Sequence, residues 1–458
     1  MSNIIDQLIQ AFGDKSVLTG SAIGDKYKKD WSGVDGRLPI AVVRPTSTEE
    51  VSQVLSLCSE QSQAVVIQGG MTGISAGAVP QEQEIAISLE RMNGIIEIDK
   101  ESMTLTALAG TPLQVIQEAA EDADMYFPLD MGSRGTCTIG GNVATNAGGN
   151  QVIRYGPARA LTLGLETVLP DGTIISSLNK MLKNNAGFDL KHLFIGSEGT
   201  LGIVTKVVVR LYPKANATQT ALCALPDFPS VLKLLQQCYG SLGDGVTSFE
   251  VMWANYFDEV IDTVEQAQSP FKQHHPFYAL IEYQGQDQEQ DAEKFAAVLF
   301  DAMENGMIAD AVLAQSLKEA DSFWVIRDGI GELLSVMGHV VNTDISVPIS
   351  SMQSFMDALE PALYKAFPDI KLRIFGHIGD SNLHVCAGTG LEKDLDAISA
   401  IIMGLIGDYK GSVSAEHGIG VLKKKYLHHS RTAEEMALMA TLKQALDPKG
   451  ILNQGRVL

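Results

Sequence analysis

Cysteine is sparse and unpatterned in this 458-residue chain: five residues, at 58, 137, 223, 238 and 386, none in CxxC spacing. An odd, scattered set argues against a disulfide framework or an iron–sulfur site and matches reduced thiols in the cytosol. Basic residues are also short, 34 against 55 acids, for a formal net charge of -21. That field would repel a nucleic acid or an anionic membrane. A small anion is admitted only where a local cation or metal overrides it. No apolar run reaches transmembrane length. The N-terminal MSNIIDQLIQAFGDKS lacks the basic n-region and apolar core of a secretory signal. The expectation is a soluble, cytoplasmic protein with no nucleic-acid partner and no transmembrane segment.

What is present is globular. Hydrophobic residues make up 45% and charged residues 19%, which argues against disorder, and the length asks for two or three domains. The opening stretch reads as an amphipathic helix with Ile4, Ile5, Leu8, Ile9 and Phe12 inward. Between 41 and 100 strands and helices alternate, with Ser47 or Thr48 capping TEEVSQVLSLCSEQ. Residues 101–213 give short strands (TLTALAG, LETVLP, GIVTKVVVRLYP) between glycine-rich segments, and 214–218 reads as a linker. From 219, strands TALCALP, VTSFEVM, FYALIEY and ADAVLAQ alternate with helices near 229–240, 253–267, 288–304 and 317–336. This predicts an α+β layer on a largely antiparallel sheet. LRIFGHI and LHVCAG predict a late hairpin. Helices follow at 393–410 and 432–446, and DPKG marks a turn before the end.

Three glycine-rich segments stand out: GGMTGISAG, PLDMGSRGTCTIGGNVATNAGGNQVIRYG and LFIGSEGTLGIVT. None fits a P-loop or a Rossmann fingerprint. Each alone reads equally as a tight turn. Consecutive glycines also let backbone N–H groups converge on an anion, and three such segments in one region favour a large buried ligand.

In FGHIGDSNLHV, His377 and His384 flank a Gly-Asp-Ser-Asn tetrapeptide. A symmetric hairpin across Asp380 and Ser381 would make the two cross-strand neighbours, about 4.5–5.5 Å apart at Cβ. Two imidazoles could then share a metal at about 2.0–2.1 Å, or they are satisfied histidines beside a polar turn. Glu416, in SAEHGIG, could complete a His/His/carboxylate set with an open position. AEH reads equally as a helix-end charge pair.

RPTSTEEV, IQGGMTGISAGAVP, PLDMGSRGTCTIGGNVATNAGG, RYG, DLKHLFIGSEGTLGIVT, GHIGDSNLHV, SAEHGIG and DPKGILNQGRVL fall in order over almost the whole chain. As a set they resemble the vanillyl-alcohol oxidase type of FAD flavoproteins, within it the D-2-hydroxyglutarate and D-lactate dehydrogenases. The resemblance implies an α+β fold. A two-subdomain FAD-binding domain would span 1–214 and an antiparallel-sheet substrate (cap) domain 215–420. A C-terminal helical segment, 421–458, would return to the FAD domain. It implies FAD contacts from Gly69, Gly70, Met71, Thr72 and Gly73, from Pro128, Gly132, Gly141, Asn142, Thr145 and Asn146, and from Glu198, Gly199, Ile203 and Asn453. QGGMTG has no histidine where some relatives attach their flavin, so non-covalent FAD is expected. By the same resemblance His377, His384 and Glu416 are ligands of a divalent metal, zinc foremost.

His417 matches the catalytic base of that family, and an imidazole titrates near neutrality. Arg327, in FWVIRDGI, matches the arginine that clamps the substrate carboxylate; a helix-surface arginine paired with Asp328 or Glu332 is its plainer fate. The match weakens in the pocket. Asn342 stands where D-2-hydroxyglutarate enzymes carry lysine, Gly331 where they carry threonine, and Cys386 where they carry asparagine. The expected reaction is oxidation of a D-2-hydroxy acid to the 2-oxo acid, with hydride passing from C2 to flavin N5. D-2-hydroxyglutarate is favoured by overall resemblance, and D-lactate or another neutral-side-chain acid is the alternative. A soluble electron carrier or a quinone is the expected acceptor, with homodimerisation open. A flavin-free metal hydrolase and a noncatalytic FAD-binding subunit are the readings from other classes.

Overall fold

The computed structural model describes residues 3–458. The described residues form two compact units: residues 3–149, 156–214 and 416–458 make one, residues 150–155 and 215–415 the other.

In the first unit α1 (Ile4–Phe12) buries Ile4 and Leu8. A four-stranded sheet has the order β1 (Val17–Leu18), β2 (Ala41–Val43), β4 (Ile85–Ser88), β3 (Val65–Gln68). The strands β2, β3 and β4 run parallel, as their unbroken apolar sequences require of strands covered on both faces. Between β2 and β3 lies α2 (Thr48–Glu60), capped by Ser47, whose Oγ accepts from Glu50 N–H at 3.2 Å. A second sheet is wholly antiparallel. Its order is β5 (Ile95–Asp99), β6 (Thr104–Leu108), β9 (Ile203–Arg210), β7 (Thr162–Val168), β8 (Ile174–Ser177). A short helix, α3 (Ile139–Thr145), rises from the second glycine segment.

The other unit is built on seven antiparallel strands. Their order is β13 (Asp310–Leu313), β10 (Ala217–Leu225), β12 (Phe277–Gly285), β11 (Val246–Trp253), β15 (Lys371–His377), β16 (Asn382–Gly390), β14 (His339–Ser346). The expected linker thus ends early, since β10 already begins at Ala217. Helices α4 (Phe228–Leu242), α5 (Ala254–Thr263) and α6 (Gln288–Glu304) follow the predicted pattern. The helix expected over 317–336 is two, α7 (Leu317–Asp328) and α8 (Ile330–Met337), broken at Gly329. A Cβ on Gly329 would stand 2.7 Å from Val260 Cγ1, so the break lets the backbone close on α5. Two further helices, α9 (Ile349–Ala366) and α10 (Leu395–Asp408), complete this unit.

The C-terminal stretch belongs to the first unit and carries α11 (Ala433–Leu446). Asp447 ends that helix, accepting from Ile451 and Leu452 N–H at 3.0 and 2.9 Å. Beside β3, Val65 N–H donates to Ile451 O, and Asn453 N–H returns a bond to Val65 O. Buried Arg456 donates to Glu84, Val79 O and Gly77 O, locking the tail to the turn after the first glycine segment.

Candidate functional site

One face of the seven-stranded sheet carries three cross-strand rows, because directly paired residues share a face and i, i+2 neighbours repeat on it. Arg373, Cys386 and Asn342 form one row. Phe375, His384 and Asp344 form the next, and Glu250 pairs with His377 in the third. The hairpin is not symmetric across Asp380 and Ser381. Phe375, not His377, opposes His384, because a short 3₁₀ turn at Ile378–Asp380 and left-handed Ser381 (φ 73°) set the register. The two imidazoles are diagonal neighbours instead, with ring centroids 5.4 Å apart. His384 also stacks on Phe375 at 4.7 Å.

Glu416 is where the chain leaves this sheet. Ala415 N–H donates to Asp344 O, and Ser414 Oγ donates to the Asp344 carboxylate at 2.9 Å. One ligand atom from each of His377, His384 and Glu416 lies within 4.8 Å of the others. Nitrogen, nitrogen and carboxylate oxygen form a donor set that suits zinc and, with it, cobalt or manganese.

Glu250, which sequence reasoning did not single out, supports this cluster. It is 1% exposed. Its Oε1 accepts from His377 Nδ1 at 2.7 Å and its Oε2 from Arg327 Nε at 2.8 Å. An ionised carboxylate only accepts, so Nδ1 carries the proton and Nε2 holds the lone pair for a metal. Burial pushes the Glu250 carboxyl up, but His377 and Arg327 beside it hold it down, at about 2.

Arg327 is buried near the end of α7, its guanidinium 5.0 Å from the Phe375 ring centroid. Its Nη2 donates to His377 Nε2 at 3.0 Å, and Nη1 reaches Asp328 at 3.4 Å. Burial works against the guanidinium's charge, yet Glu250 raises its pKa above the ordinary arginine range. Asn382, between the two histidines, is 2% exposed with neither amide atom hydrogen-bonded. Of the remaining predicted pocket residues, Cys386 donates to Asn342 Oδ1 at 3.2 Å, and burial lifts its thiol to about 12. Gly331 is exposed at the start of α8, with no atom within 4 Å of a Cβ placed on it. Arg373, half-buried in the row of Cys386 and ion-paired with Glu259, is a cation the sequence reading did not place.

The first unit gathers the predicted FAD residues. Gly69, Gly70, Met71, Thr72 and Gly73 follow β3, pressed on the second glycine segment. A Cβ on Gly70 would stand 2.1 Å from Thr136 O, and one on Gly69 2.7 Å from Thr138 Oγ1. Pro128 is buried and Gly132 exposed; Gly141, Asn142 and Thr145 lie on α3, and Asn146 caps it in left-handed conformation. Glu198 accepts from Ile419 and Gly420 N–H at 2.7 and 2.8 Å, which shapes the turn after His417. Beyond it come Gly199 and Ile203, the first residue of β9. Asn453 bridges segments, accepting from Ile67 N–H at 3.0 Å and donating to Glu198 O at 2.6 Å. Ser75 Oγ donates to His417 O at 2.9 Å.

Met71, Asn146, Glu198 and Asn453 all hold positive φ without being glycine. Such strain gathers at ligand sites. Asp30 Oδ2, Gln68 Oε1 and Ser197 Oγ are buried there without hydrogen-bond partners, which is costly unless a polar ligand answers them. Close backbone approach fits a phosphate-bearing cofactor such as FAD, and the orphaned acceptors Asp30 Oδ2 and Gln68 Oε1 call for donors, which its hydroxyl and ring N–H groups would supply.

Two family models match: "FAD binding domain" over residues 39–177 and "FAD linked oxidases, C-terminal domain" over 214–457. The chain belongs to the FAD-linked oxidases. The fold agrees with solved structures of p-cresol methylhydroxylase (TM-score 0.80, 16% identity, 99% of this chain and 96% of that one) and alkyldihydroxyacetonephosphate synthase (TM-score 0.76, 20% identity, 99% and 86%). Within the family it falls with the D-2-hydroxyglutarate and D-lactate dehydrogenases. It is 38% identical to the mitochondrial D-2-hydroxyglutarate dehydrogenase of Arabidopsis thaliana, covering 98% of this chain and 80% of that protein. It is also 38% identical to the D-2-hydroxyglutarate dehydrogenase of Xanthomonas citri pv. viticola, covering 94% and 92%. A Schizosaccharomyces pombe protein provisionally named a mitochondrial D-lactate dehydrogenase is 36% identical over 96% and 85%. Among the described residues no helix is long and apolar enough to cross a membrane.

Proposed function

We propose that the protein is an FAD- and metal-dependent dehydrogenase that oxidises D-2-hydroxyglutarate to the 2-oxo acid. The observation that carries this reading is the grouping of His377, His384 and Glu416 beside buried Arg327, in a chain whose family binds FAD. When bound, FAD supplies a two-electron acceptor, held here without a covalent bond, and a divalent ion lowers the pKa of a coordinated hydroxyl. His377, His384 and Glu416 would hold the ion, and the planar fork of Arg327 would take the C1 carboxylate. His417 accepts the hydroxyl proton as the C2–H bond breaks with its electron pair and the carbonyl forms. The residues' part is to fix C2, orient the hydroxyl and receive that proton.

A diacid needs its second carboxylate answered. Asn342 and Cys386 are neutral, but Arg373 stands in their row. That row lies two positions along the strand from His384, about 7 Å, a gap a five-carbon acid can bridge. This supports D-2-hydroxyglutarate over D-lactate, the second reading, which rests on those neutral pocket residues.

Chelation tests the metal. Protein stripped of divalent ions should keep its FAD but lose flavin reduction by the hydroxy acid, and zinc, cobalt or manganese should restore it. Full activity in metal-free protein contradicts this reading.

A further inference from the structure

The geometry points to Glu250 as a positioning residue that holds a metal ligand and the substrate-binding arginine with one carboxylate. It rests on the functional reading above and adds to it a residue that would act through His377 and Arg327. Glu250 sits on β11, paired directly with His377 on β15, and its two oxygens are divided between two partners. The His377 bond fixes the ring and the tautomer, so Nε2 is the nitrogen left for a metal. The Arg327 bond uses Nε, so Glu250 occupies neither terminal nitrogen of the fork; those reach Asp328 and His377 Nε2.

The present contact between Arg327 Nη2 and His377 Nε2 makes the carboxylate more important. A single lone pair cannot accept from arginine and ligate a metal together. With a metal on Nε2 that contact would be given up, and Glu250 would be the anchor joining the arginine to the metal ligand. Glutamine in its place keeps the shape but sets an NH2 against one of two donors and leaves the other only a neutral oxygen, so one partner loses its acceptor and the other its charge-assisted bond.

The experiment is a pair of double-mutant cycles on the FAD-loaded protein. Zinc affinity is read by competition with a chromophoric chelator, and KM for D-2-hydroxyglutarate by steady-state kinetics. Glu250→Gln should weaken zinc binding at least tenfold and raise KM, with FAD content and thermal midpoint close to wild type. In His377→Ala protein, adding Glu250→Gln should cost no further zinc affinity. In Arg327→Met protein, it should cost no further KM. Wild-type values for the single variant, or losses that add in full to His377→Ala and Arg327→Met, overturn the inference. Should Glu250→Gln fail to fold, Glu250→Asp replaces it, one methylene short of both partners. A severalfold loss in both readouts supports the inference; no change in either overturns it. Wild-type protein that binds no divalent ion overturns the functional reading instead, and the KM cycle still decides the arginine arm.

Discussion

In the proposed reading, single residues carry the specificity. If Arg373 answers the distal carboxylate, Arg373→Met should lower kcat/KM for D-2-hydroxyglutarate by about 10- to 150-fold, the worth of a charge-assisted contact of about 1.5–3 kcal/mol. D-lactate, with no second carboxylate, should be nearly unaffected. Asn342→Lys, which adds a cation to the same row, should shift the ratio toward the diacid. Equal losses on both substrates would show that Arg373 serves the fold through Glu259 and not the pocket. At this scale the two histidines and Glu416, each open to a plainer reading alone, were drawn together by the family resemblance, and the structure brings their ligand atoms within 4.8 Å. Glu250 and Arg373 were not legible. A lone acid or base in an apolar strand shows its role only through partners, and Glu250 is 77 residues from Arg327 and 127 from His377.

Elements were legible where periodicity was clean. The N-terminal helix, α2, the late hairpin and the layered sheet of the second unit all follow their patterns. The hairpin's register did not, since a 3₁₀ turn with Ser381 at positive φ moved the pairing by two residues. Helix α9 drew no expectation at all. Pro361 lies inside it, and an internal proline ordinarily ends a helix. The tail gives a test at this scale. Arg456 is 2% exposed and spans Glu84, Val79 and Gly77. Arg456→Ala would leave the Glu84 carboxylate buried without its cation, a loss of about 3–5 kcal/mol. Denaturant unfolding should show this as an earlier first transition. A midpoint indistinguishable from wild type would mean that the tail is held by its backbone pairing with β3 alone.

For the whole molecule, the glycine-rich motifs announced a large bound cofactor more clearly than they announced its surroundings. The net charge of -21 left room for an anionic substrate only at a local cluster of cations or metal. Arg327, Arg373 and the His377, His384 and Glu416 group supply that cluster. The measurement that bears most directly on the central claim is anaerobic mixing of the metal-loaded yellow protein with each enantiomer of 2-hydroxyglutarate, followed at the flavin absorbance. The account predicts rapid bleaching by the D-enantiomer, none by the L-enantiomer, and none by either once the metal is removed. Flavin that stays oxidised with the D-enantiomer and with D-lactate, or that bleaches equally with the L-form, would contradict it.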